Sequence, residues 1–295
     1  MKSSAWSGLR TNATTASPES VRYSARVPFV RVRDLDVYYE IHGSGDPVLS
    51  INGSGGDLRD NPFRGKGPLE SSFQVLMYDQ RGLGQTSKPD TEYSMADYAD
   101  DADALMEVLG WTSAHVVGTS FGGMVAQHFV LRHPSRVKRL VLACTSSGGV
   151  GGTSFDLLSV QDLPPDERVK ITLPIMDSRC DMTTDPPTLA PGLGFVFERS
   201  KRPPTNSDDP AAAMGARRQL VARHDHDVWD ELERISAPTM CIGGRYDRQA
   251  PPENMERLVS RIPNAVFELC DGGHLFMLQD PTAWPTIVRF LQASS

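Results

Sequence analysis

The stretch Val116-Val117-Gly118-Thr119-Ser120-Phe121-Gly122-Gly123 decides the fold of this chain. Two β-branched residues typical of a strand lead directly into a G-x-S-x-G pattern, and residues 123–132 have the character of a helix. A strand that turns into a helix within one residue strains the central serine, and glycines on either side avoid collisions with neighbouring elements. Such a corner would lift the Ser120 hydroxyl clear of the sheet edge, at the positive end of the helix dipole.

The rest of the chain alternates short apolar runs with helical segments. Runs of this kind are typical of parallel strands that are covered on both faces. The clearest helix is predicted over residues 95–109, where Ser94 can cap the first turn, Asp97 completes a capping box and Gly110 ends the helix. The alternation predicts an α/β fold with a doubly wound, mostly parallel sheet and reactive groups on loops at the carboxyl ends of the strands. The predicted elements are a hairpin at residues 29–41 and strands at residues 48–51, 75–78, 115–117, 140–143, 239–242 and 266–269.

The alternation stops between about residues 146 and 221, where paired glycines and paired prolines separate short segments. A structureless loop of that length is unusual inside a compact domain. We therefore predict a mainly helical cap, residues 148–222, inserted between two parts of one core, residues 26–147 and 223–295. The apolar residues of the cap, which include Leu173, Phe195 and Val196, should in part line a pocket and in larger part pack the cap onto the core.

Residues 1–25 differ in composition from the rest of the chain. They are rich in Ser, Thr, Ala and Arg, with Glu19 as the one acid. We interpret them as a disordered N-terminal tail, and an organelle transit peptide is the alternative. They are left out of the predicted fold.

Composition and charge favour a globular domain with a small-molecule partner. The chain has 295 residues, of which 39% are hydrophobic, so it can bury a full core. Its net charge of -7 gives no general attraction for nucleic acid or anionic membranes. No stretch approaches the roughly 18 consecutive apolar residues that a membrane helix requires. Neither a nucleic acid nor a membrane is an expected partner, whereas a homo-oligomer stays possible.

The four cysteines have no spacing that indicates a disulfide framework or a zinc site. Three of them lie in or next to apolar strand-like runs. We interpret all four as reduced residues of a cytoplasmic protein. They are Cys144, Cys180, Cys241 and Cys270.

A serine hydroxyl becomes a good nucleophile only when a base removes its proton and a third group orients that base. An acid and a histidine should therefore lie just past other strand ends. The run at residues 239–243 is followed by a loop that ends at Asp247, and the run at residues 266–270 by one that ends at His274. The order Ser120, Asp247, His274 is that of hydrolases with the serine at a strand-to-helix corner, and differs from the chymotrypsin and subtilisin orders.

Two further features of this site are predicted. Asp271 is the alternative acid, but it lies so close to His274 in sequence that its carboxylate should not reach the ring from the correct side. The reaction needs donors for an oxyanion, and we predict the backbone N-H groups of Phe121 and of Ser54, in the glycine-rich loop after residues 48–51. That loop has neither G-x-G-x-x-G nor a P-loop lysine, which argues against phosphate binding.

The cluster His224-Asp225-His226-Asp227 raises the question of a metal site, because imidazole and carboxylate both bind zinc. Alternate residues diverge on a strand, however, and no third ligand is apparent. We interpret Asp227 as the cap of a helix over residues 228–235, with Asp230 three residues later. No metal and no cofactor is predicted.

With these motifs, the chain resembles the α/β-hydrolase superfamily, in the branch of 3-oxoadipate enol-lactonases and related esterases. The resemblance covers about residues 27–291 and rests on residues 78–87, 118–123, 244–247 and 273–274. It implies a serine hydrolase that cleaves an ester or lactone of a small organic molecule through an acyl-enzyme intermediate. It also implies that the turn at residues 78–87 is structural, so Arg81 has no catalytic role.

The chain departs from this family at one position. Asn52 stands where the family usually has a histidine that braces the oxyanion loop, although asparagine can also donate and accept hydrogen bonds. A serine nucleophile argues against dehalogenases and many epoxide hydrolases, which use aspartate. Leu275 stands where carbon-carbon bond hydrolases often have tryptophan, which favours esters or lactones.

Other functions remain open because a fold and a triad do not determine the substrate. Carbon-carbon cleavage, acyl transfer and perhydrolysis can use the same three residues. A ligand-binding receptor on a hydrolase fold is the alternative from a different class. Slow labelling in a single turnover would indicate a receptor, and rapid multiple turnover would indicate an enzyme.

Overall fold

A computed structural model describes residues 28–61, 67–202, 205 and 208–293. The predicted tail at residues 1–25 lies outside them. The strands are β1 Phe29–Val32, β2 Leu35–Gly43, β3 Asp46–Ile51, β4 Phe73–Tyr78, β5 Ala114–Thr119, β6 Val137–Ala143, β7 Thr239–Gly244 and β8 Ala265–Cys270. The α-helices are α1 Met95–Val108, α2 Phe121–Arg132, α3 Pro165–Met176, α4 Gly194–Ser200, α5 Pro210–His224, α6 Pro252–Arg261, α7 Phe276–Gln279 and α8 Ala283–Gln292.

The strands form one sheet in the order β1-β2-β4-β3-β5-β6-β7-β8. β2 is antiparallel to β1 and to β4, and the other neighbouring strands are parallel. This arrangement confirms the predicted hairpin and the doubly wound, mostly parallel sheet. The capping box of α1 is also confirmed, with Ser94 and Asp97 bonded to each other's backbone N-H groups.

Each face of the sheet is covered by helices. The side chains of α1, α2 and α6 pack on one face, and those of α7 and α8 pack on the other. The expectation of two covered faces is wrong for β8, where Val266 and Leu269 are 47% and 40% exposed. The reason is the strand order, because β8 lies at the edge of the sheet and pairs only with β7.

The chain between β6 and β7 carries α3, α4 and α5 and builds a small apolar cluster that includes Val169, Leu173 and Leu193. Part of it packs directly on the core: a Cβ atom on Gly215 of α5 would lie 2.1 Å from the carbonyl oxygen of Gly82. We propose that residues 148–222 form the predicted cap, with residues 26–147 and 223–295 as the core. Among the described residues, no helix is both long and apolar enough to cross a membrane.

Buried His226 pairs with half-buried His128 of α2. His226 Nε2 lies 3.0 Å from the carbonyl oxygen of Ser146, so this nitrogen donates its hydrogen. His226 Nδ1 therefore accepts from His128 Nε2, at 3.1 Å. Both rings are held neutral, because burial lowers the pKa of His226 to about 3 and that of His128 to about 4.

The neighbouring Asp227 accepts a hydrogen bond from the backbone of Trp229 at 3.1 Å, close to the predicted capping role. The helix that follows is a 3-10 helix, Trp229–Arg234, which begins later than predicted and has Val228 at its N-cap position. His226 and Asp227 thus each make hydrogen bonds within the fold. His224 is exposed, and within the part of the chain that the structure describes it does not join His226 and Asp227 in a group of three possible metal ligands.

The histidine pair predicts a loss of stability in acid. Both histidines have a pKa below the ordinary value of 6.5, so below that pH the unfolded chain binds more protons than the folded chain. Each histidine should then lower the free energy of unfolding by about 2 kcal/mol between pH 7 and pH 5. Replacing His128 with Gln should remove about half of that loss. Urea unfolding at several pH values measures the free energy of unfolding of the wild type and of His128→Gln. The same decrease with falling pH in both proteins would contradict the assigned role of the histidine pair.

The turn from β5 to α2 leaves no room for side chains at its glycines. A Cβ atom on Gly122 would lie 2.0 Å from the carbonyl oxygen of Ile51 in β3, and one on Gly118 would lie 2.3 Å from the carbonyl oxygen of Gly122. These contacts are with backbone atoms, which cannot move aside without shifting the sheet. The requirement for glycine on both sides of Ser120 is confirmed.

Gly122→Ala should therefore destabilise the protein by about 1–3 kcal/mol or more, because overpacking displaces β3 or α2. Gly194→Ala is the matched control, because a Cβ atom on Gly194 at the start of α4 meets nothing within 4 Å. The control should change the free energy of unfolding by less than about 1 kcal/mol. Urea unfolding compares the two, and equal stability of both variants would contradict the packing argument.

Candidate active site

Ser120 occupies the corner between β5 and α2 in a strained conformation. Its backbone has φ 55° and ψ -117°, a left-handed φ that residues with a side chain rarely adopt. The corner is held from both sides: Ser120 N-H donates to Ala143 at 2.8 Å, and the Thr145 hydroxyl donates to the Ser120 carbonyl at 2.8 Å. The strain is thus balanced by hydrogen bonds to β6 and to the residues that follow it.

Three side chains from three loops meet at this corner. His274 Nε2 lies 3.0 Å from Ser120 Oγ, and His274 Nδ1 lies 2.7 Å from Asp247 Oδ2. All three residues are buried. Because the carboxylate accepts from Nδ1-H, Nε2 is left with the lone pair that can receive the Ser120 proton.

The carboxylate beside the imidazole is that of Asp247, which follows β7. Its other oxygen, Oδ1, accepts from the backbone N-H groups of Gln249 and Ala250 at 2.7 and 2.9 Å. The alternative acid, Asp271, is exposed, and its backbone bonds to Asp280. The geometry therefore brings Asp247, and not Asp271, to the His274 ring.

The chain between β6 and β7 supports the loop that carries His274. The sequence analysis did not predict this support. His274 N-H donates to the carbonyl oxygen of Met176 at 2.6 Å, just at the end of α3. Gln279 adds a second support: its Oε1 accepts from Gly273 N-H at 2.7 Å, and its Nε2 donates to Asp177 at 2.9 Å. The last turn of α3 thus holds the histidine loop in place.

The predicted oxyanion loop lies next to Ser120. A Cβ atom on Gly53 would lie 3.4 Å from Ser120 Cβ and 3.9 Å from Ser120 Oγ, which are ordinary van der Waals distances, so this loop packs directly beside the serine side chain. Phe121 is the first residue of α2, where the N-H has no acceptor within the helix. The N-H groups of Phe121 and Ser54 stay our proposed oxyanion donors.

Two glutamines and an aspartate brace this loop. Gly55 N-H donates to Gln219 of α5 at 2.8 Å, and the Asn52 carbonyl accepts from Gln80 at 2.8 Å. Leu58 N-H donates to Asp79 at 2.7 Å. Burial raises the pKa of Asp79 to about 6, and the hydrogen bonds from the backbone of Leu58 and Gln85 oppose that rise.

A cavity of about 400 Å³ opens beside His274 and the oxyanion loop. Its apolar wall includes Val117 of β5, Leu275, and Phe195 and Val196 of α4. Leu173 instead packs in the apolar cluster between β6 and β7. Of the apolar residues predicted to belong to the cap, Phe195 and Val196 of α4 thus line the cavity. Leu173 of α3 packs in the separate cluster between β6 and β7, and not in the clusters on the sheet as predicted.

Cys144 is the one thiol near the triad among the described residues. Its sulfur and the ligating atoms of Asp247 and His274 lie within 4.8 Å of one another. Burial, and next to it the charge of Asp247, raise the pKa of the thiol well above its ordinary range, so it is protonated at neutral pH. A protonated thiol is a poor metal ligand and a poor nucleophile.

Sequence comparison agrees with this geometry. A family profile described as alpha/beta hydrolase fold matches residues 46–169. The poly(3-hydroxyalkanoate) depolymerase of Ectopseudomonas oleovorans is 30% identical over 251 residues, which cover 83% of this chain and 84% of the depolymerase. A 2-hydroxymuconate semialdehyde hydrolase of Pseudomonas putida is 28% identical over 272 residues, covering 84% and 87%.

Solved structures show the same architecture. The enol-lactonase from Burkholderia xenovorans LB400 superposes with a TM-score of 0.74 at 22% identity, covering 90% of this chain and 100% of the lactonase. A strand-to-helix serine corner on this sheet defines an α/β-hydrolase fold. The chain belongs to the α/β-hydrolase family, as its sequence motifs indicated.

The brace on the oxyanion loop predicts the effect of a change in the cap. Gln219→Met removes the acceptor of the Gly55 N-H group, so the loop should no longer be held in its position beside Ser120. Phosphonylation of Ser120 by a fluorophosphonate should slow by about tenfold, because small misplacements of catalytic donors are costly.

Arg218→Met is the control for this variant. Arg218 lies next in sequence on α5 and bonds to the Pro89 carbonyl and to Asp90, not to the oxyanion loop. This variant should react at nearly the wild-type rate. Equal slowing in both variants would show that general docking of α5, and not the Gly55 contact, is responsible.

Proposed function

We propose that this chain is a serine hydrolase that cleaves an ester or lactone of a small organic molecule, without a metal or an organic cofactor. The observation that carries the proposal is the continuous contact from Ser120 Oγ through the His274 ring to Asp247. Each atom lies within the distance that proton transfer requires. The strained corner presents the hydroxyl at the start of α2, where positive backbone charge favours a developing anion.

The reaction proceeds in two halves. Ser120 Oγ bonds to the substrate carbonyl carbon while His274 Nε2 takes its proton, and Asp247 stabilises the imidazolium. The proton then passes to the leaving oxygen as that carbon-oxygen bond breaks. Water releases the acyl group from Ser120 in the second half. The N-H groups of Phe121 and Ser54 hold the oxyanion in both halves.

Two arguments support an ester or lactone substrate. His274 is placed to protonate the oxygen that leaves when an ester or lactone is cleaved, and two similar proteins have names that point to such substrates. The names of those proteins describe a depolymerase of poly(3-hydroxyalkanoate) and an enol-lactonase. The mostly apolar cavity beside His274 suits an uncharged acyl or ring group of modest size. We further propose a cytoplasmic location, in keeping with four free, buried cysteines.

Carbon-carbon cleavage is the second candidate, because the similar Pseudomonas putida protein is named a 2-hydroxymuconate semialdehyde hydrolase. That substrate class differs from an ester in its leaving group, because the proton is delivered to carbon and not to oxygen. A panel of esters, lactones and ring-cleavage products distinguishes the two, with kcat/KM as the measure. A value for a ring-cleavage product above that of every ester and lactone would overturn the ester proposal, and slow single-turnover labelling throughout would favour a receptor.

Replacement of the serine tests the nucleophile. Ser120→Ala should lower kcat for a 4-nitrophenyl ester by on the order of 10⁴-fold with the fold intact. Cys144→Ala is the matched control, because the buried thiol lies near His274 but is protonated, and it should keep most of the activity. Steady-state kinetics with a circular dichroism check compares them. Activity that survives in Ser120→Ala, or is lost in Cys144→Ala, would refute the assignment.

A further inference from the structure

Gln249 is a second polar neighbour of the reacting nitrogen of His274. Its carboxamide nitrogen lies 2.9 Å from His274 Nε2, as near as the Ser120 hydroxyl at 3.0 Å. The residue is 6% exposed, and no motif in the sequence pointed to it. It lies two residues after Asp247, on the same loop.

The backbone of Gln249 is held in place on both sides. Its N-H donates to Asp247 at 2.7 Å, and its carbonyl accepts from Phe155 N-H at 2.7 Å. The carboxamide therefore reaches Nε2 from a rigid support. The carboxamide oxygen of Gln249 accepts no hydrogen bond from any residue that the structure describes.

The ring of His274 does not need Gln249 for its orientation. Asp247 already holds Nδ1 at 2.7 Å, and the backbone of His274 is tied to Met176 at 2.6 Å. Gln249 instead faces the nitrogen through which protons enter and leave. Gln249 should therefore act on a group that gives a proton to Nε2 or takes one from it.

The resting and acylated enzymes differ at this nitrogen. In the resting enzyme, the Ser120 hydroxyl and the Gln249 amide both point to one lone pair, which accepts only one strong hydrogen bond. Once Ser120 carries an acyl group, its hydroxyl proton is gone. Gln249 is then the remaining side chain within hydrogen-bond reach of Nε2 among the described residues.

We propose that the carboxamide of Gln249 binds the water that hydrolyses the acyl-enzyme, a role that rests on the proposed serine mechanism. Rotation of the side chain moves the carboxamide away from Nε2 and makes room for a water molecule, so that the amide oxygen accepts one water hydrogen while Nε2 accepts the other. The water oxygen bonds to the acyl carbonyl carbon and its proton goes to Nε2. The bond from that carbon to Ser120 Oγ then breaks, and Nε2 returns the proton to Oγ.

Gln249→Met tests this role, because it keeps the length of the side chain and removes both polar atoms. With a 4-nitrophenyl ester, whose leaving group departs without a proton, the initial burst should stay near one equivalent per enzyme. The steady-state rate after the burst should fall by about tenfold, because only deacylation loses its water contact. Phosphonylation of Ser120 by a fluorophosphonate should stay within about twofold of the wild type.

Gln292→Met, on the exposed end of α8, is the matched control and should change neither rate. Gln249→Leu is a second variant with the same expected result, for use if the methionine variant does not fold. Equal loss of phosphonylation and steady-state rate would indicate a structural role and overturn the proposal. Unchanged rates, or faster phosphonylation from release of the Ser120 hydroxyl, would overturn it as well. A wild-type enzyme without any adduct on Ser120 would instead refute the serine mechanism itself.

Discussion

The conformation of one residue, Ser120, is the constraint on which the rest of this structure depends. A left-handed φ of 55° at a residue with a side chain costs free energy, on the order of 1–3 kcal/mol. The surrounding glycines allow it, because they let α2 and β3 approach without a collision. The result is a hydroxyl that stands above the sheet edge, where loops from β3, β7 and β8 can reach it.

The inserted chain contributes to the site as well as covering it. The end of α3 accepts a hydrogen bond from the backbone of His274, and Gln219 of α5 holds Gly55 in the oxyanion loop. These contacts join the loop that carries Gly55 and the loop that carries His274 to the same stretch between β6 and β7. A change in α3 or α5 can therefore alter the surroundings of Ser120 without replacing Ser120, His274 or Asp247.

Much of the fold and of the candidate site follows from local sequence patterns. The strands and α1 were predictable because burial periodicity and capping residues act over a few neighbours. Asp247 and His274 were predictable because each follows a strand run and a turn, and parallel strands deliver their carboxyl ends to one edge. Those rules need no knowledge of the final packing.

The parts that were missed depend on contacts between residues far apart in the chain. Gln219 and Gly55 are separated by 164 positions, and nothing near either residue marks the contact. Gln249 lies beside Asp247, but its role appears only when the β8 loop places His274 against it. The exposure of β8 likewise follows from strand order, which a local apolar run does not encode.

The most direct test of the account is mass spectrometry of the enzyme after acid quenching during ester turnover. We expect one acyl group per chain, on the peptide that contains Ser120, and no adduct elsewhere. An acyl group on Cys144 or another residue would contradict it. Continued hydrolysis with no covalent adduct, even in a variant with slowed deacylation, would contradict it equally.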